Sequence, residues 1–214
     1  PPPGGGGGEP ELERLLARGE ALQPADVAAL YPFELDSFQV EAVEALLGGD
    51  NVVVAAPTGS GKTLVGEVAA VAALARGLKV VYTTPLKALS NQKLREFQAR
   101  FGPERVGLRT GDAVLNAEAD LVVMTTEILR NMLYRGADES LGGVAVVVLD
   151  EVHYIADEFR GTVWEETVIY CPPGVQLMCL SATMGNPQDL AGWIRAVHGP
   201  TAVVESSFRP VPLQ

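Results

Sequence analysis

Residues 51–63 read NVVVAAPTGSGKT, an apolar run followed at once by a glycine-rich loop. The run 52–56 has the length of a buried strand, and the pattern after the loop predicts a helix over 62–75. Glycines in such a unit let backbone N–H groups turn inward around a phosphate, and the helix adds its positive dipole end. Apart from Ala56 in place of the first glycine, the stretch has the spacing of a phosphate-binding loop, or P-loop.

This P-loop supplies the first set of predicted site residues. Lys62 should reach the β- and γ-phosphates of a nucleotide, and the Thr63 hydroxyl should bind Mg²⁺. An ordinary strand-to-helix turn is the alternative, but the spacing and the context favour the phosphate site. The residues predicted to surround the nucleotide are Pro57, Thr58, Gly59, Ser60, Gly61, Lys62 and Thr63.

A second polar segment, Asp150-Glu151-Val152-His153, directly follows the apolar run 144–149. A carboxylate at the tip of a buried strand can hold Mg²⁺, which assigns Asp150 to the metal together with Thr63. Glu151 can polarise an attacking water as a general base, and His153 joins Lys62, Asp150 and Glu151 as a predicted catalytic residue. Two solvated acids beside a structural histidine are the alternative.

A third segment, Ser181-Ala182-Thr183, follows another apolar run. Taken alone, it would be a helix-capping turn. Because ligands of parallel sheets bind where the carboxyl ends of the strands converge, we expect the hydroxyls of Ser181 and Thr183 to couple the nucleotide site to the rest of the molecule.

Strands alternate with helices along the chain, which predicts an α/β fold with a mostly parallel central sheet covered on both faces, in three layers. A helix capped by Asp36 is predicted to run to Leu47, short helices are predicted within residues 10–30, and His198 is predicted to lie at the surface. The inward residues of the capped helix are predicted to be Phe38, Val40, Val43, Leu46 and Leu47. Further strands are predicted at about 79–84, 106–109, 120–124, 145–150, 175–181 and 201–205, and further helices at about 87–100, 126–134, 158–169 and 187–197.

The composition limits the classes of partner. The chain has 214 residues, 47% of them apolar, and no apolar run approaches the roughly 20 residues of a membrane span, so no membrane association is expected. Residues 1–50 carry ten of the 27 acidic side chains but two of the 16 basic ones. The remainder is mildly acidic, so a local basic groove is possible although strong general attraction to polyphosphate is not expected. Cys171 and Cys179 lack metal-ligand spacing and are predicted to be reduced core thiols, which implies a reducing compartment.

In this order the three motifs resemble motifs I, II and III of superfamily 2 helicases. Two further segments are similar to those of Ski-like (superkiller-type) DExH RNA helicases: 33–39, FELDSFQ, resembles their Q-type motif, and 84–93, TPLKALSNQK, resembles motif Ia. Residues 110–112 and 125–130 resemble two more motifs that contact the RNA strand.

The later part of the chain narrows the resemblance. Residues 160–166, RGTVWEE, are similar to Ski-like proteins, and 161–172 together with 209–213 are most similar to the chloroplast members of plants and algae. The resemblance covers about residues 31–214.

The resemblance implies a RecA-like P-loop NTPase domain that uses ATP and Mg²⁺. Gln39 would read adenine, because an amide both donates and accepts, and Phe33 would stack on the base; core packing is the alternative for Phe33. A single RNA strand would be held mainly through its phosphates and sugars, with a solvated loop as the alternative for each residue. The implied RNA-binding residues are Pro85, Leu86, Asn91, Gln92, Gly111, Asp112, Thr125 and Thr126.

The predicted organisation has four parts. Residues 1–10 are a flexible low-complexity linker, 11–30 a helical extension, 31–208 the first RecA-like domain, and 209–214 the start of a linker to a second RecA-like domain. The arginine motif of that second half is not found, so this chain is expected to bind nucleotide weakly, to hydrolyse little and not to unwind. It is also expected to be a monomer.

The whole protein would then be an ATP-dependent 3′-to-5′ RNA helicase acting in RNA processing or decay. The resemblance places it in the chloroplast, with nucleus or cytoplasm as alternatives. A Ski-like DNA repair helicase and a non-catalytic nucleotide-binding scaffold remain competing functions. Intact Lys62, Thr63, Asp150 and Glu151 argue against the scaffold.

Overall fold

The fold is built around a single sheet. In the computed structural model, which describes residues 8–153 and 158–207, eight strands form this sheet in the order β4-β3-β5-β2-β6-β7-β1-β8. Every neighbouring pair is parallel except β3 and β4, which are antiparallel. The strands are β1 (Asn51–Ala55), β2 (Lys79–Thr84), β3 (Val106–Arg109), β4 (Val114–Leu115), β5 (Leu121–Thr125), β6 (Val144–Leu149), β7 (Gln176–Ser181) and β8 (Thr201–Glu205).

Helices cover both faces of the sheet and give three layers. Successive strand residues point to opposite faces, so Val52 and Val54 join the core beneath α1–α5, whereas Val53 joins the core beneath α6–α8. The helices are α1 (Gly8–Arg18), α2 (Pro24–Ala29), α3 (Ser37–Leu47), α4 (Lys62–Ala75), α5 (Lys87–Phe101), α6 (Thr126–Ser140), α7 (Glu158–Tyr170) and α8 (Pro187–Val197), with a 3-10 turn at Pro103–Arg105.

The predicted α/β class and parallel sheet are confirmed, and most element boundaries agree within two residues. Helix α6 is longer than predicted, and its backbone leaves helical geometry at Gly136, where φ is 144° and ψ is 101°. The antiparallel strand β4 was not predicted. Its two residues, Val114 and Leu115, are both exposed and too few to show a period.

Three finer predictions are wrong. Residues 8–10 are not linker, because they begin α1, whose Leu12 and Leu15 are buried in the core beneath α1–α5. Val40 does not point into the core, since it is 40% exposed on α3. His198 is half-buried rather than on the surface, and both of its ring nitrogens have hydrogen-bond partners. Residues 1–7 and 208–214, which include the predicted linker to a second domain, lie outside the described residues.

Both cysteines, Cys171 and Cys179, are buried free thiols, as predicted. Within the described part of the chain, no helix is both long and apolar enough to cross a membrane.

The order of the strands divides the predicted site residues into two neighbouring groups. The P-loop, the acidic tetrapeptide and the 181–183 segment follow β1, β6 and β7, which are adjacent in the sheet. The predicted RNA-binding loops follow β2, β3 and β5, which form the adjacent set of three. Since the carboxyl ends of these parallel strands share one edge, both groups lie side by side along it.

Candidate functional site

The P-loop is held open by two glycines in the left-handed region. Gly59 has φ 80° and Gly61, which caps α4, has φ 92°. A Cβ at Gly61 would lie 2.6 Å from Nε2 of Gln39, so a larger residue would be strained there and would also collide. A Cβ at Gly59 would meet open space. The backbone path of the loop therefore depends on two positions with positive φ, and at Gly61 close packing also requires glycine.

Lys62 turns back onto its own loop. Its Nζ donates to the carbonyl oxygens of Ala56 at 2.5 Å and Pro57 at 3.2 Å. Burial lowers the pKa of Lys62, while the charges of Glu151 and Asp150 act in the opposite direction. The partly buried ammonium of Lys62 is therefore bonded to uncharged acceptors of its own loop.

The Asp150 carboxylate is fixed by hydrogen bonds to both oxygens. The Tyr82 hydroxyl donates to Oδ2 at 2.5 Å, and the backbone N–H of Glu151 donates to Oδ1 at 2.8 Å. Burial, with Asp150 alongside, raises the pKa of Tyr82 well above its ordinary value, so the hydroxyl remains a donor. Glu151 itself has φ 60°, a left-handed conformation unusual for a non-glycine residue and often found at functional sites.

His153 links the acidic tetrapeptide to the third motif. Its Nε2 lies 3.0 Å from Oε2 of Glu151, and the backbone N–H of Ala182 donates to its Nδ1 at 3.2 Å. Because the Ala182 N–H points at Nδ1, Nδ1 is the acceptor, and a proton on Nε2 would face the Glu151 carboxylate. His153 is therefore bonded at once to the predicted general base and to the 181–183 segment.

The two predicted coupling hydroxyls differ in environment. Ser181 is fully buried, and within the part of the chain that the structure describes its Oγ has no hydrogen-bond partner. Thr183 is exposed. A buried hydroxyl without a partner is costly, which marks Ser181 as a place where a further polar group fits.

The Thr63 hydroxyl has a neighbour that sequence reasoning missed. Lys93, on α5, places its Nζ 3.4 Å from Oγ1 of Thr63 and 3.0 Å from Oε2 of Glu96. The same ammonium lies 5.9 Å from the centre of the Tyr82 ring. Helix α5 therefore sends a cation to the place where Thr63 and Asp150 are predicted to bind Mg²⁺.

The residues predicted to bind the base lie in the first turn of α3 and in the segment before it. Phe33 is 56% exposed, which contradicts the core-packing alternative, and its ring centre is 5.6 Å from that of Tyr31. Gln39 is buried; its Oε1 accepts from the Asp36 N–H at 2.8 Å, and its Nε2 donates to the Gly61 carbonyl at 3.1 Å. Gln39, in the first turn of α3, thus connects this helix to the P-loop. The sequence alone did not reveal this contact.

The predicted RNA-binding residues are mostly accessible, with exceptions. Gln92, Gly111 and Asp112 are exposed, and Pro85, Leu86, Asn91 and Thr125 are half-buried. Thr126 is buried, and its hydroxyl donates to the Thr84 carbonyl at 3.3 Å. Asp112 is ion-paired with Lys87. In the structure, Thr126 and Asp112 therefore stabilise their own loops through these contacts.

A model of the DEAD/DEAH box helicase family matches residues 36–190, which contain the P-loop, the acidic tetrapeptide and the 181–183 segment. The chain belongs to the DEAD/DEAH box helicase family. The family confirms the RecA-like fold. The domain is 56% identical over 211 residues to the chloroplastic DExH-box ATP-dependent RNA helicase DExH15 of Arabidopsis thaliana, covering 95% of this chain and 18% of the relative.

Two further proteins are similar to this DEAD/DEAH box domain. The antiviral helicase SKI2 of Saccharomyces cerevisiae is 50% identical over 205 residues, 95% of this chain and 16% of the relative. The structure of Mycobacterium smegmatis helicase Lhr bound to ssDNA and AMP-PNP superposes with a TM-score of 0.67 at 30% identity, over 90% of this chain and 28% of that one. The resemblance to Ski-like DExH helicases is thereby confirmed, and the chain spans less than a fifth of the length of DExH15 and SKI2.

Proposed function

We propose that this chain is the ATP-binding half of an ATP-dependent RNA helicase of the Ski-like DExH type. The observation that carries the proposal is that the P-loop and the acidic tetrapeptide follow strands β1 and β6 at one edge of the sheet, close enough for the charges of Glu151 and Asp150 to act on Lys62. The loops that follow β2, β3 and β5 lie beside them. The nucleotide site and a track for a nucleic-acid strand would then share one edge of the sheet.

The residues fit a magnesium–nucleotide complex. A hydroxyl from Thr63 and a carboxylate from Asp150 are the oxygen ligands that Mg²⁺ prefers. Among the described residues, Oγ of Ser60, inside the P-loop, is buried without a hydrogen-bond partner, so a polar ligand would satisfy it. When bound, Mg²⁺ and ATP supply the phosphoanhydride bond and the metal charge.

Each ionisable side chain of the site would then have a distinct role. Lys62 would exchange its two carbonyl acceptors for phosphate oxygens, which are stronger partners because the hydrogen bond joins opposite charges. Glu151 would accept a proton from water, and the Nε2–H of His153 would orient the carboxylate that does so. Asp150, held by Tyr82, would face the metal.

His153 also supports the proposed coupling through Ser181 and Thr183. Any shift of the Glu151 carboxylate that moves the imidazole changes the hydrogen bond at the Ala182 N–H. The 181–183 segment would pass this change to the rest of the motor. RNA would be held by Pro85, Leu86, Asn91, Gln92, Gly111 and Thr125, with Asp112 and Thr126 shaping the loops.

The whole protein would move 3′ to 5′ on RNA during RNA processing or decay. A second RecA-like domain of the same polypeptide would supply arginines to the ATP site, so this chain alone would bind nucleotide and hydrolyse it slowly. The similarity to a chloroplastic helicase supports a chloroplast location, with nucleus or cytoplasm as the alternatives.

DNA is the second candidate substrate. It is favoured by the likeness to Lhr, whose structure holds ssDNA. Contacts to a strand through phosphate and sugar do not by themselves distinguish RNA from DNA, whereas a contact to the 2′-hydroxyl does.

ATP turnover of the full-length protein tests both candidates. Turnover is measured with RNA, with DNA and with neither, in the wild type, in Lys62→Ala and in the matched control Lys79→Ala. Lys79 is the first residue of β2 and lies at the edge of the sheet opposite the P-loop. We expect stimulation by RNA in the wild type and the control, and a loss of at least about a hundredfold in Lys62→Ala, the scale of removing one donor that stabilises charge developing in a transition state. Unchanged turnover in Lys62→Ala rejects the catalytic proposal, and stimulation by DNA alone selects the second candidate.

A further inference from the structure

Three side chains far apart in sequence, Tyr31, Glu67 and Arg100, form a network next to Phe33, the residue predicted to stack on the base. The Tyr31 hydroxyl donates to Oε2 of Glu67 at 2.9 Å, and Nε of Arg100 donates to Oε1 of the same carboxylate at 2.5 Å. One carboxylate therefore joins the segment before α3 to helix α5, with helix α4 between them.

The contacts are sheltered from water and fix each group. The side chains of Arg100 and Glu67 are 23% and 16% exposed. Nη2 of Arg100 is buried and has no hydrogen-bond acceptor among the described residues, so the guanidinium is held by Glu67 and by the face of the Tyr31 ring, 5.8 Å away. Burial, reinforced by Glu67, raises the pKa of Tyr31, which keeps its hydroxyl protonated as the donor.

The network leads directly to Phe33. The Tyr31 ring packs against Phe33 at 5.6 Å with an angle of 39° between the rings, and Phe33 presents its other surface to solvent. Tyr31, whose hydroxyl is anchored on Glu67, is therefore one of the side chains that fix the Phe33 ring, which also borders an apolar groove lined by Val27. Glu67 lies one helical turn after Thr63 on α4, so the same helix serves both ends of the nucleotide site.

We propose that Tyr31, Glu67 and Arg100 are positioning residues that hold the Phe33 ring against the base of the bound nucleotide. The proposal rests on the proposed function, and it adds a determinant of base affinity that lies outside the P-loop. Because the network reaches Phe33 and does not touch the P-loop lysine, it acts on the base and leaves the hold on the phosphates unchanged.

The test compares a nucleotide with a phosphate chain that has no base. Fluorescent mant-ADP is bound to the 214-residue chain and displaced by ATP or by tripolyphosphate, in the wild type, Tyr31→Phe, Arg100→Met and the double variant. Arg105→Met is the matched control, because Arg105 follows α5 by four residues and forms an ion pair with a different carboxylate, that of Glu13, at 2.7 Å. Arg100→Lys retains a cation that can still pair with Glu67. Thermal unfolding followed by circular dichroism checks that each variant is folded.

We expect Tyr31→Phe and Arg100→Met each to weaken ATP binding by about fivefold, the lower end of what one base–aromatic stack contributes. Tripolyphosphate affinity should stay within about twofold, and Arg100→Lys should recover part of the loss. The double variant should bind ATP no more weakly than whichever single variant has the lower ATP affinity, because mutational effects within one network are not additive.

Four outcomes overturn the inference: no loss of ATP affinity, an equal loss for tripolyphosphate, additive losses in the double variant, or the same loss in Arg105→Met. A wild-type chain that binds neither ATP nor tripolyphosphate would instead remove the proposed function, and this inference with it. If Lys62→Ala abolishes binding of both ligands while Tyr31→Phe changes neither, the proposed function survives and the positioning role does not.

Discussion

At the scale of the residue, Tyr82 is the side chain on which the geometry of Asp150 depends. It is fully buried in β2, its ring meets Phe97 edge-on at 5.0 Å, and its hydroxyl reaches Asp150, which directly follows the neighbouring strand β6. A Cβ at Gly66 would lie only 3.0 Å from the Tyr82 ring, so the glycine makes the room that the ring occupies. The donor to Asp150 is therefore built from the core outward.

Replacing Tyr82 by phenylalanine removes this donor and keeps the ring. We expect turnover of ATP by the full-length protein to fall about tenfold, because a hydrogen bond to a charged group contributes about 1.5–3 kcal/mol and 1.4 kcal/mol corresponds to a factor of ten. Nucleotide affinity in EDTA should not change, since Asp150 is proposed to act through the metal. Tyr134→Phe is the control, because it also removes a hydroxyl bonded to a carboxylate, that of Glu166, on the exposed side of α6. Full turnover in Tyr82→Phe would contradict the role given to this contact.

At the scale of the element, the start of β1 is tied to the end of α8 by a pair of polar side chains. Asn51 donates through Nδ2 to Nδ1 of His198 at 3.0 Å, and its Oδ1 accepts from the Leu177 N–H at 2.9 Å. Nε2 of His198 lies 3.1 Å from the Pro172 carbonyl. These partners suit a neutral imidazole that donates from Nε2 and accepts at Nδ1, and a second ring proton would face the Asn51 amide group.

This arrangement predicts that the fold loses stability in mild acid. Burial lowers the pKa of His198 below its usual 6.5, so the unfolded chain binds a proton more readily than the folded one. The contribution of His198 is therefore complete above about pH 6.5 and is lost as the pH falls through the folded pKa. The free energy of unfolding, measured with urea at pH 7.5 and 5.5, should decrease in the wild type and decrease less in His198→Gln. Equal decreases in the two proteins would show that His198 is not the group responsible.

Four carboxyl groups with lowered pKa values affect stability at a more acidic pH than His198 does. The pKa values of Glu11, Glu13, Asp26 and Asp112 are lowered by arginine or lysine partners, from ordinary values of 4.5 for Glu and 3.8 for Asp. Their contributions are present above the ordinary values and are lost at a more acidic pH than that of the imidazole.

At the scale of the whole molecule, the two cysteines report on the core beneath α6–α8. Cys179 lies in β7 opposite Val53 of β1, and Cys171 packs at the end of α7. Burial raises the pKa of each thiol to about 12, so the reactive thiolate is scarce as well as inaccessible.

Both thiols should therefore react with a disulfide reagent only when the domain unfolds. Below the unfolding transition, we expect reaction at least about a thousandfold slower than for the chain in denaturant, because marginal stability still leaves the open state rare. The two thiols should become reactive together across the urea transition that circular dichroism records. Rapid reaction of one thiol in the native protein would show that the core opens in parts.

The sequence predicted the sheet, the P-loop and the acidic tetrapeptide because their signals are local. An apolar run, a glycine spacing or a carboxylate at a strand end can be read within about ten residues. Strand β4 was missed for the same reason, since two exposed residues carry no such signal. Only the structure shows why Gly107 of β3 suits this pairing. A Cβ there would lie 2.0 Å from the carbonyl oxygen of Asn116, which directly follows β4.

The contacts that set the site's finer geometry join residues far apart along the chain. Tyr31 and Glu67 are separated by 36 residues, Tyr82 and Asp150 by 68, and Asn51 and His198 by 147. In sequence, Glu67, Lys93 and Arg100 look like solvated faces of two helices, and His198 looks like a residue at a helix end. Only the packing of α5 against α4, and of α8 against β1, reveals which charged groups have partners.

The Nζ of Lys62 is held by two uncharged acceptors, the carbonyl oxygens of Ala56 and Pro57. Under the proposed function, a ligand would have to offer this ammonium better acceptors than those two oxygens. A lone weak anion gains little from that exchange, whereas a chain of phosphates offers several charged oxygens at once. We therefore expect polyphosphates to be favoured over single weak anions at this lysine.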